Sequence, residues 1–202
     1  MPIKRRRGLL IVLEGIDGSG KTTQARRLVR RLRRRGRPAA FFREPTRGPW
    51  GREIKRLAAR ADSLTPEEEL ELFVKDRRMN VESNLKPALA AGKAVVLDRY
   101  YFSTIAYQGA KGIDTGRIRR LNEAFAIPPD LVIFLDVDAA AGLARIGGRK
   151  RRDELFERED YLVRVADIFR GFKGPRFVHI DGRGDARAIS RAIWAHVLPI
   201  LP

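Results

Sequence analysis

The run Gly15-Ile16-Asp17-Gly18-Ser19-Gly20-Lys21-Thr22 satisfies the pattern G-x-x-x-x-G-K-[ST] at every required position. Its chemistry is the binding of phosphate. Glycines let the backbone curl until successive N–H groups face phosphate oxygens, and the helix that opens behind the loop adds its positive N-terminal end. The Lys21 ammonium suits the β- and γ-phosphates of a nucleoside triphosphate, and the Thr22 hydroxyl suits Mg²⁺. The stretch from Gly15 through Thr23 is therefore a candidate ATP cradle. Asp17 is out of place in it, because an acid inside an anion-binding loop opposes the charge being bound. It either serves a second ligand or bonds its own loop backbone as turn residues do.

The pattern carries weight only between a strand and a helix, and both are legible. Gly8 to Glu14 is a continuous apolar run ending in one acid, as expected for a central parallel strand buried on both faces. Thr22 to Arg35 spaces Ala25, Leu28, Val29 and Leu32 helically, and Gly36 and Pro38 end it. Further strands are expected at 38–43, 94–97, 131–137 and 177–180. Helices are expected at 50–61, 103–109, 114–126, 138–146, 153–169 and 185–198. Thr65-Pro66-Glu67-Glu68-Glu69 reads as a strong helix start, running to about Ala91 with a kink at Pro87 and Gly92 closing it. Strands alternate with helices without repeats or linkers, so the chain reads as one α/β domain on a five-stranded parallel sheet.

Composition narrows the partners. At 202 residues and 44% apolar content the chain can build one continuous core. No apolar run approaches the ~20 residues that span a bilayer. Lys4 to Arg7 followed by Leu9 to Leu13 is too short, and too soon followed by Glu14, for a secretory signal. The absence of cysteine excludes disulfides, thiolate metal sites and thiol nucleophiles, and suits the cytoplasm. A net charge of +17 implies anionic partners, nucleotide or nucleic acid. Arginines spread along helices are equally what solvated faces look like. His179 and His196 have no partner in sequence and read as structural.

A phosphate loop does not name a reaction. The residues that discriminate lie elsewhere: Arg43-Glu44-Pro45; Leu72-Phe73 with Arg77; Lys86-Pro87-Ala88-Leu89; Asp98-Arg99-Tyr100; Ser103-Thr104-Ile105-Ala106-Tyr107-Gln108-Gly109; and Pro129-Asp130-Leu131 leading into Phe134-Leu135-Asp136-Val137. This ordered set, over essentially the whole chain, resembles the thymidylate kinases. The resemblance implies a three-layer P-loop NTPase fold spanning 1–202 as a single domain, with a mobile lid at about 145–157. It implies transfer of the ATP γ-phosphate to dTMP, giving dTDP and ADP, with Mg²⁺, in a homodimer of packed helices. Neither a membrane nor nucleic acid is an expected partner.

The resemblance also implies roles. Asp17 would meet the 3′-hydroxyl of the acceptor, Phe73 would stack on its base, and Arg77, on the same helix face, would reach a base carbonyl. Tyr107 would close the 2′ side of the sugar, Gln108 would bond the base edge, and Ser103 would line the same site. Arg99 would grip the acceptor phosphate with a guanidinium fork, with Arg47 as a second ligand. Asp98, at a strand end where such folds bind ligands, would hold Mg²⁺ with Thr22, through water. Some members carry an arginine in the phosphate loop and others in the lid. Gly18 fills the loop position here, so Arg149 and Arg151, within Arg149-Lys150-Arg151-Arg152, are the lid candidates beside Lys21 and Arg99 for catalysis. Arg145 would stack on adenine. Two alternatives stay open: a kinase for another nucleotide or a nucleoside, and a basic P-loop ATPase driven by nucleic acid.

Overall fold

A computed structural model of the chain describes residues 8–58, 64–146 and 152–201. Five strands form one parallel sheet in the order β2-β3-β1-β4-β5: β1 (Leu9–Glu14), β2 (Ala39–Arg43), β3 (Ala94–Asp98), β4 (Leu131–Asp136) and β5 (Phe177–Asp181). Alternate side chains along each strand feed opposite faces. Leu10, Val12, Val95, Leu97 and Phe134 join one apolar cluster, and Ile11, Leu13, Val96, Ile133 and Leu135 the other.

Helices cover both faces, as strands buried on both sides require. α1 (Lys21–Arg34) and α9 (Ala186–Val197) cover the second face through Leu28, Leu32, Ile193 and Trp194. α3 (Pro66–Asn80), α5 (Tyr101–Gly109), α6 (Thr115–Glu123) and α8 (Arg152–Arg170) cover the first, through residues such as Leu70, Phe102, Ile118 and Phe169. This is the expected three-layer P-loop NTPase fold. The lid residues 147–151 lie outside the described residues. α2 (Pro49–Ala58) and α7 (Ala139–Ile146) complete the set with α4 (Lys86–Ala90).

α3 starts where its sequence says it should. Thr65 Oγ1 accepts from the Glu68 N–H at 3.3 Å while the Glu68 carboxylate accepts from the Thr65 N–H at 2.8 Å, closing a capping box ahead of Pro66. The expected single long helix is instead divided. Val81–Leu85 is a π-helical turn, after which α4 resumes with Pro87 in its first turn. Widening the turn just ahead of the proline absorbs the clash that Pro87 would impose on a regular helix.

The sheet order places the site. β1 lies between β3 and β4, with Leu13 opposite Asp98 and Glu14 opposite Phe134. The loops leaving β1 and β3 therefore emerge side by side at the C-terminal edge, the crevice where open α/β sheets bind ligands.

Candidate active site

Between β1 and α1 the loop turns on glycines in the left-handed region. Gly15 has φ 144°, and a Cβ there would fall 2.7 Å from the Leu135 carbonyl oxygen. Gly18 has φ 79°, and its Cβ would fall 2.1 Å from the carbonyl oxygen of Gly142 on α7. The absence of an arginine at Gly18 is thus a packing requirement, since α7 occupies the space a side chain would need. α1 opens on Gly20 with no side-chain cap and no acid in its first turn, leaving its amide donors for an anion.

Lys21 is folded into the loop, where Nζ donates to the carbonyls of Gly15 at 2.8 Å and Ile16 at 2.7 Å and to Ser19 Oγ at 3.3 Å. Burial, with Arg99 nearby, lowers its pKa from 10.5 to about 7, against the pull of Asp17, Asp98 and Glu14. Thr22 Oγ1 donates to Asp98 Oδ2 at 2.5 Å, whereas the fully buried Asp98 Oδ1 has no partner among the described residues. A buried orphan carboxylate oxygen beside a loop hydroxyl fits Mg²⁺, which takes one or two carboxylate contacts and fills its octahedron with water and phosphate oxygens. Ile16 and Ser19 are buried and Thr23 is exposed on α1.

Next to the loop lies a cavity of about 250 Å³ lined by Asp17, Phe73, Arg77, Arg99, Ser103, Tyr107 and Gln108 together with Glu44, Glu69, Lys111 and Tyr161. Arg99 sits at φ 72°, a strained value for a non-glycine residue, directly after β3. Its guanidinium meets Asp17 at 2.6 Å, Ser103 Oγ at 3.1 Å and Tyr107 Oη at 3.2 Å. The Asp17 N–H also donates to Tyr107 Oη at 3.1 Å. Asp17, the acid that fitted poorly in its own loop, thus faces out of the phosphate cradle and into the second cavity.

Glu14 holds this arrangement from beneath. Its carboxylate accepts from the Tyr100 N–H at 2.8 Å, the Ser103 N–H at 3.2 Å and Ser103 Oγ at 2.5 Å. It thereby caps α5, whose own N-cap residue Tyr100 makes no side-chain cap, and fixes the segment carrying Arg99. Burial raises the Glu14 pKa from 4.5 to about 7, opposed by the Ser103 hydrogen bond and by Arg99.

Arg77 is 1% exposed and donates to Glu44 at 2.8 Å, Asn122 Oδ1 at 2.6 Å and Thr104 Oγ1 at 2.9 Å. Glu44, whose pKa is raised by burial, also accepts from Asn80 at 3.0 Å. The guanidinium, which also pairs through Nη2 with Glu44 at 2.8 Å, is therefore a braced piece of cavity wall. Phe73 is half-buried and belongs to neither apolar cluster, so its ring faces the cavity and not the core. Tyr161, on α8, donates to the Tyr107 carbonyl at 2.8 Å and stands edge-on to its ring.

Other residues lie apart. Arg47 lines a neighbouring cavity with Arg26, Lys55 and Asn84, not the one around Phe73. Arg145 reaches from α7 to the carbonyls of Gly18 at 3.4 Å and Gly182 at 3.1 Å, bridging the phosphate loop and the loop after β5. Arg149 and Arg151 fall outside the described residues. His179 bonds the Phe172 carbonyl at 2.9 Å, a structural contact.

Glu14, Glu69, Lys111, Asn122 and Tyr161 line or brace the site without having been expected there. Glu14 left a trace, one acid closing an apolar strand. Asn122 and Tyr161 left none, since their partners lie 45 and 54 residues away.

A phosphate loop opening α1, a strand-end Asp-Arg beside it, and a second cavity facing the loop across Asp17 define a P-loop nucleotide kinase. The family model for thymidylate kinase matches residues 13–193. A thymidylate kinase of Xanthomonas oryzae pv. oryzae (strain PXO99A) is 43% identical over 194 residues, covering 96% of this chain and 85% of the relative. One from Akkermansia muciniphila is 47% identical over 176 residues, covering 87% and 84%. The chain belongs to the thymidylate kinase family.

Proposed function

We propose that this chain transfers the γ-phosphate of ATP to dTMP, giving dTDP and ADP. The observation that carries this reading is the second cavity, which gathers Asp17, Phe73, Arg77, Arg99, Tyr107 and Gln108 at the edge of the phosphate loop. An aromatic face, a pair of hydrogen-bonding side chains, a sugar-facing acid and a guanidinium fork match the base, sugar and phosphate of a nucleoside monophosphate.

Lys21 turns from the carbonyls of Gly15 and Ile16 to the β- and γ-phosphates. Arg99 exchanges Asp17 for the acceptor phosphate, and Asp17 takes the 3′-hydroxyl. Phe73 stacks on thymine, Arg77 and Gln108 meet its edge, and Tyr107 crowds the 2′ position. Thr22 and Asp98 would hold Mg²⁺, Asp98 through water, and the ion supplies neutralisation of charge on the donor phosphates. The acceptor oxygen is already ionised, so no general base is needed, and catalysis is positioning and charge neutralisation. That demands cations beyond Lys21, which we assign to Arg149 and Arg151 of a lid that closes over the donor, with Arg145 against adenine. We place the reaction in the cytoplasm and the chain in a homodimer, as the family likeness implies. The mass of the particle in solution checks the dimer.

The test is a panel of nucleoside monophosphates with ATP and Mg²⁺. The expected result is the highest kcat/KM for dTMP, and faster phosphorylation of another acceptor overturns the substrate assignment. ATP hydrolysis that rises with DNA, without transfer to any monophosphate, would overturn the reaction itself.

A further inference from the structure

Gln108 is 1% exposed and lines the acceptor cavity, yet among the described residues only one end of its amide is satisfied. Nε2 donates to Glu69 Oε2 at 2.9 Å, and the buried Oε1 has no hydrogen-bond partner among the described residues. A primary amide that turned over would place its carbonyl against Glu69. That oxygen already takes the Lys111 ammonium as well, so it accepts from both and has no proton to offer. Carbonyl against carboxylate would be repulsive, so the amide has one orientation.

We propose that Glu69 determines base selectivity by locking Gln108 with its oxygen toward the substrate. This rests on the reading above that the cavity holds the acceptor base. The cavity wall then offers a definite pattern: a donor from Arg77 and an acceptor from Gln108 Oε1. A thymine edge has the matching O4 acceptor and N3–H donor. A cytosine edge has an amino donor and an unprotonated N3 acceptor, so it meets donor with donor and acceptor with acceptor. Sites that leave buried polar groups unpaired in this way discriminate by factors of roughly 10⁴–10⁵. Glu69 stands four residues before Phe73 on α3, so one helix face carries both the residue that stacks on the base and the one that sets its hydrogen-bond code. Glu69 itself is a positioning residue, acting through Gln108.

The experiment compares kcat/KM for dTMP and dCMP, with calorimetric affinities for both, in the full-length enzyme and in the variants E69A, E69Q and K111M. In E69A, water can donate as readily as accept, so Gln108 is free to turn. The expected result is a dTMP:dCMP ratio at least tenfold lower than in the unmodified enzyme, mainly through tighter dCMP binding, with a smaller fall in E69Q. K111M keeps the carboxylate acceptor and is expected to keep the ratio within about threefold. The Glu69 side chain is 24% exposed, so its truncation spares the core, and the melting temperature checks this. A ratio in E69A within threefold of the unmodified enzyme overturns the proposal, and so does an equal fall in K111M, which would assign the effect to the salt bridge. An unmodified enzyme inactive on dTMP refutes the proposed function instead, so the two failures are distinct.

Discussion

Placing an arginine at Gly18 is the obvious way to convert this enzyme to the loop-arginine arrangement, and the structure says the change damages it. Two costs arise before any guanidinium is considered. A side chain at φ 79° pays about 1–2 kcal/mol for the left-handed conformation. Its Cβ, 2.1 Å from the Gly142 carbonyl oxygen and 2.8 Å from the carbonyl carbon, can be relieved only by moving backbone, at about 1–3 kcal/mol. Together these make roughly 2–5 kcal/mol, or a drop in Tm of roughly 5–15 °C for a chain of this size. Gly36→Ala isolates the first cost, because Gly36 has φ 72° and nothing within 4 Å of its Cβ position. Calorimetric melting of G18A, G18R and G36A, with the KM for ATP of each, makes the comparison. G18A is expected to melt several degrees below G36A and to raise the KM for ATP, since the displaced backbone is the cradle itself. If G18A melts with G36A, or if G18R raises kcat, the steric account is wrong.

Glu14 is the next test. Its pKa is raised above 4.5, so the stability it confers is full below pH 4.5 and is lost as pH rises through about 7. The Tm of the unmodified enzyme minus that of E14Q should therefore fall between pH 5 and 8 by the equivalent of about 1–3 kcal/mol, and a flat difference would refute it. E14Q should also raise the KM for dTMP more than it lowers kcat, because Glu14 fixes the Arg99 segment. Lys21, lowered to about 7 in the free loop, regains its proton beside a triphosphate, so ATP binding above pH 7 should take up close to one proton. Calorimetry in buffers of different ionisation enthalpy measures this, and buffer-independent heats would count against it. Replacing Arg149, Arg151 and Arg152 together should lower kcat by at least about 10³-fold with little change in dTMP affinity, the scale of a transferred-phosphate arginine. Unchanged turnover would remove the lid assignment.

Most of the fold was legible because its signals are local. The apolar runs became strands within a residue or two, Thr65 capped the helix it was expected to cap, and Gly15 to Thr22 sat between strand and helix. The π-helical turn before Pro87 was not legible, because a kink can be resolved in several ways and packing of Val81 and Leu85 chooses among them. The side chains that a family pattern suggested for an acceptor lie in one cavity, apart from Arg47. What stayed hidden were relations between distant residues. Gly18 read as a missing arginine, and only the approach of Gly142 shows it to be filled space. Glu69 read as one acid of a helix start, a role any of three neighbours could play, until α5 brought Gln108 against it.

The pairing of Asp17 with Arg99 at 2.6 Å bears on how the enzyme could be inhibited. The Arg99 guanidinium, which we propose takes the acceptor phosphate, is already paired internally with an acid whose side chain is 47% exposed. A charged mimic of the nucleotide must break that contact, and its affinity will weaken as salt is added. An uncharged compound seated between Phe73 and Gln108 could leave the pair closed. It would owe its affinity to stacking and the base edge, and would hold it across ionic strengths at which phosphate analogues fail.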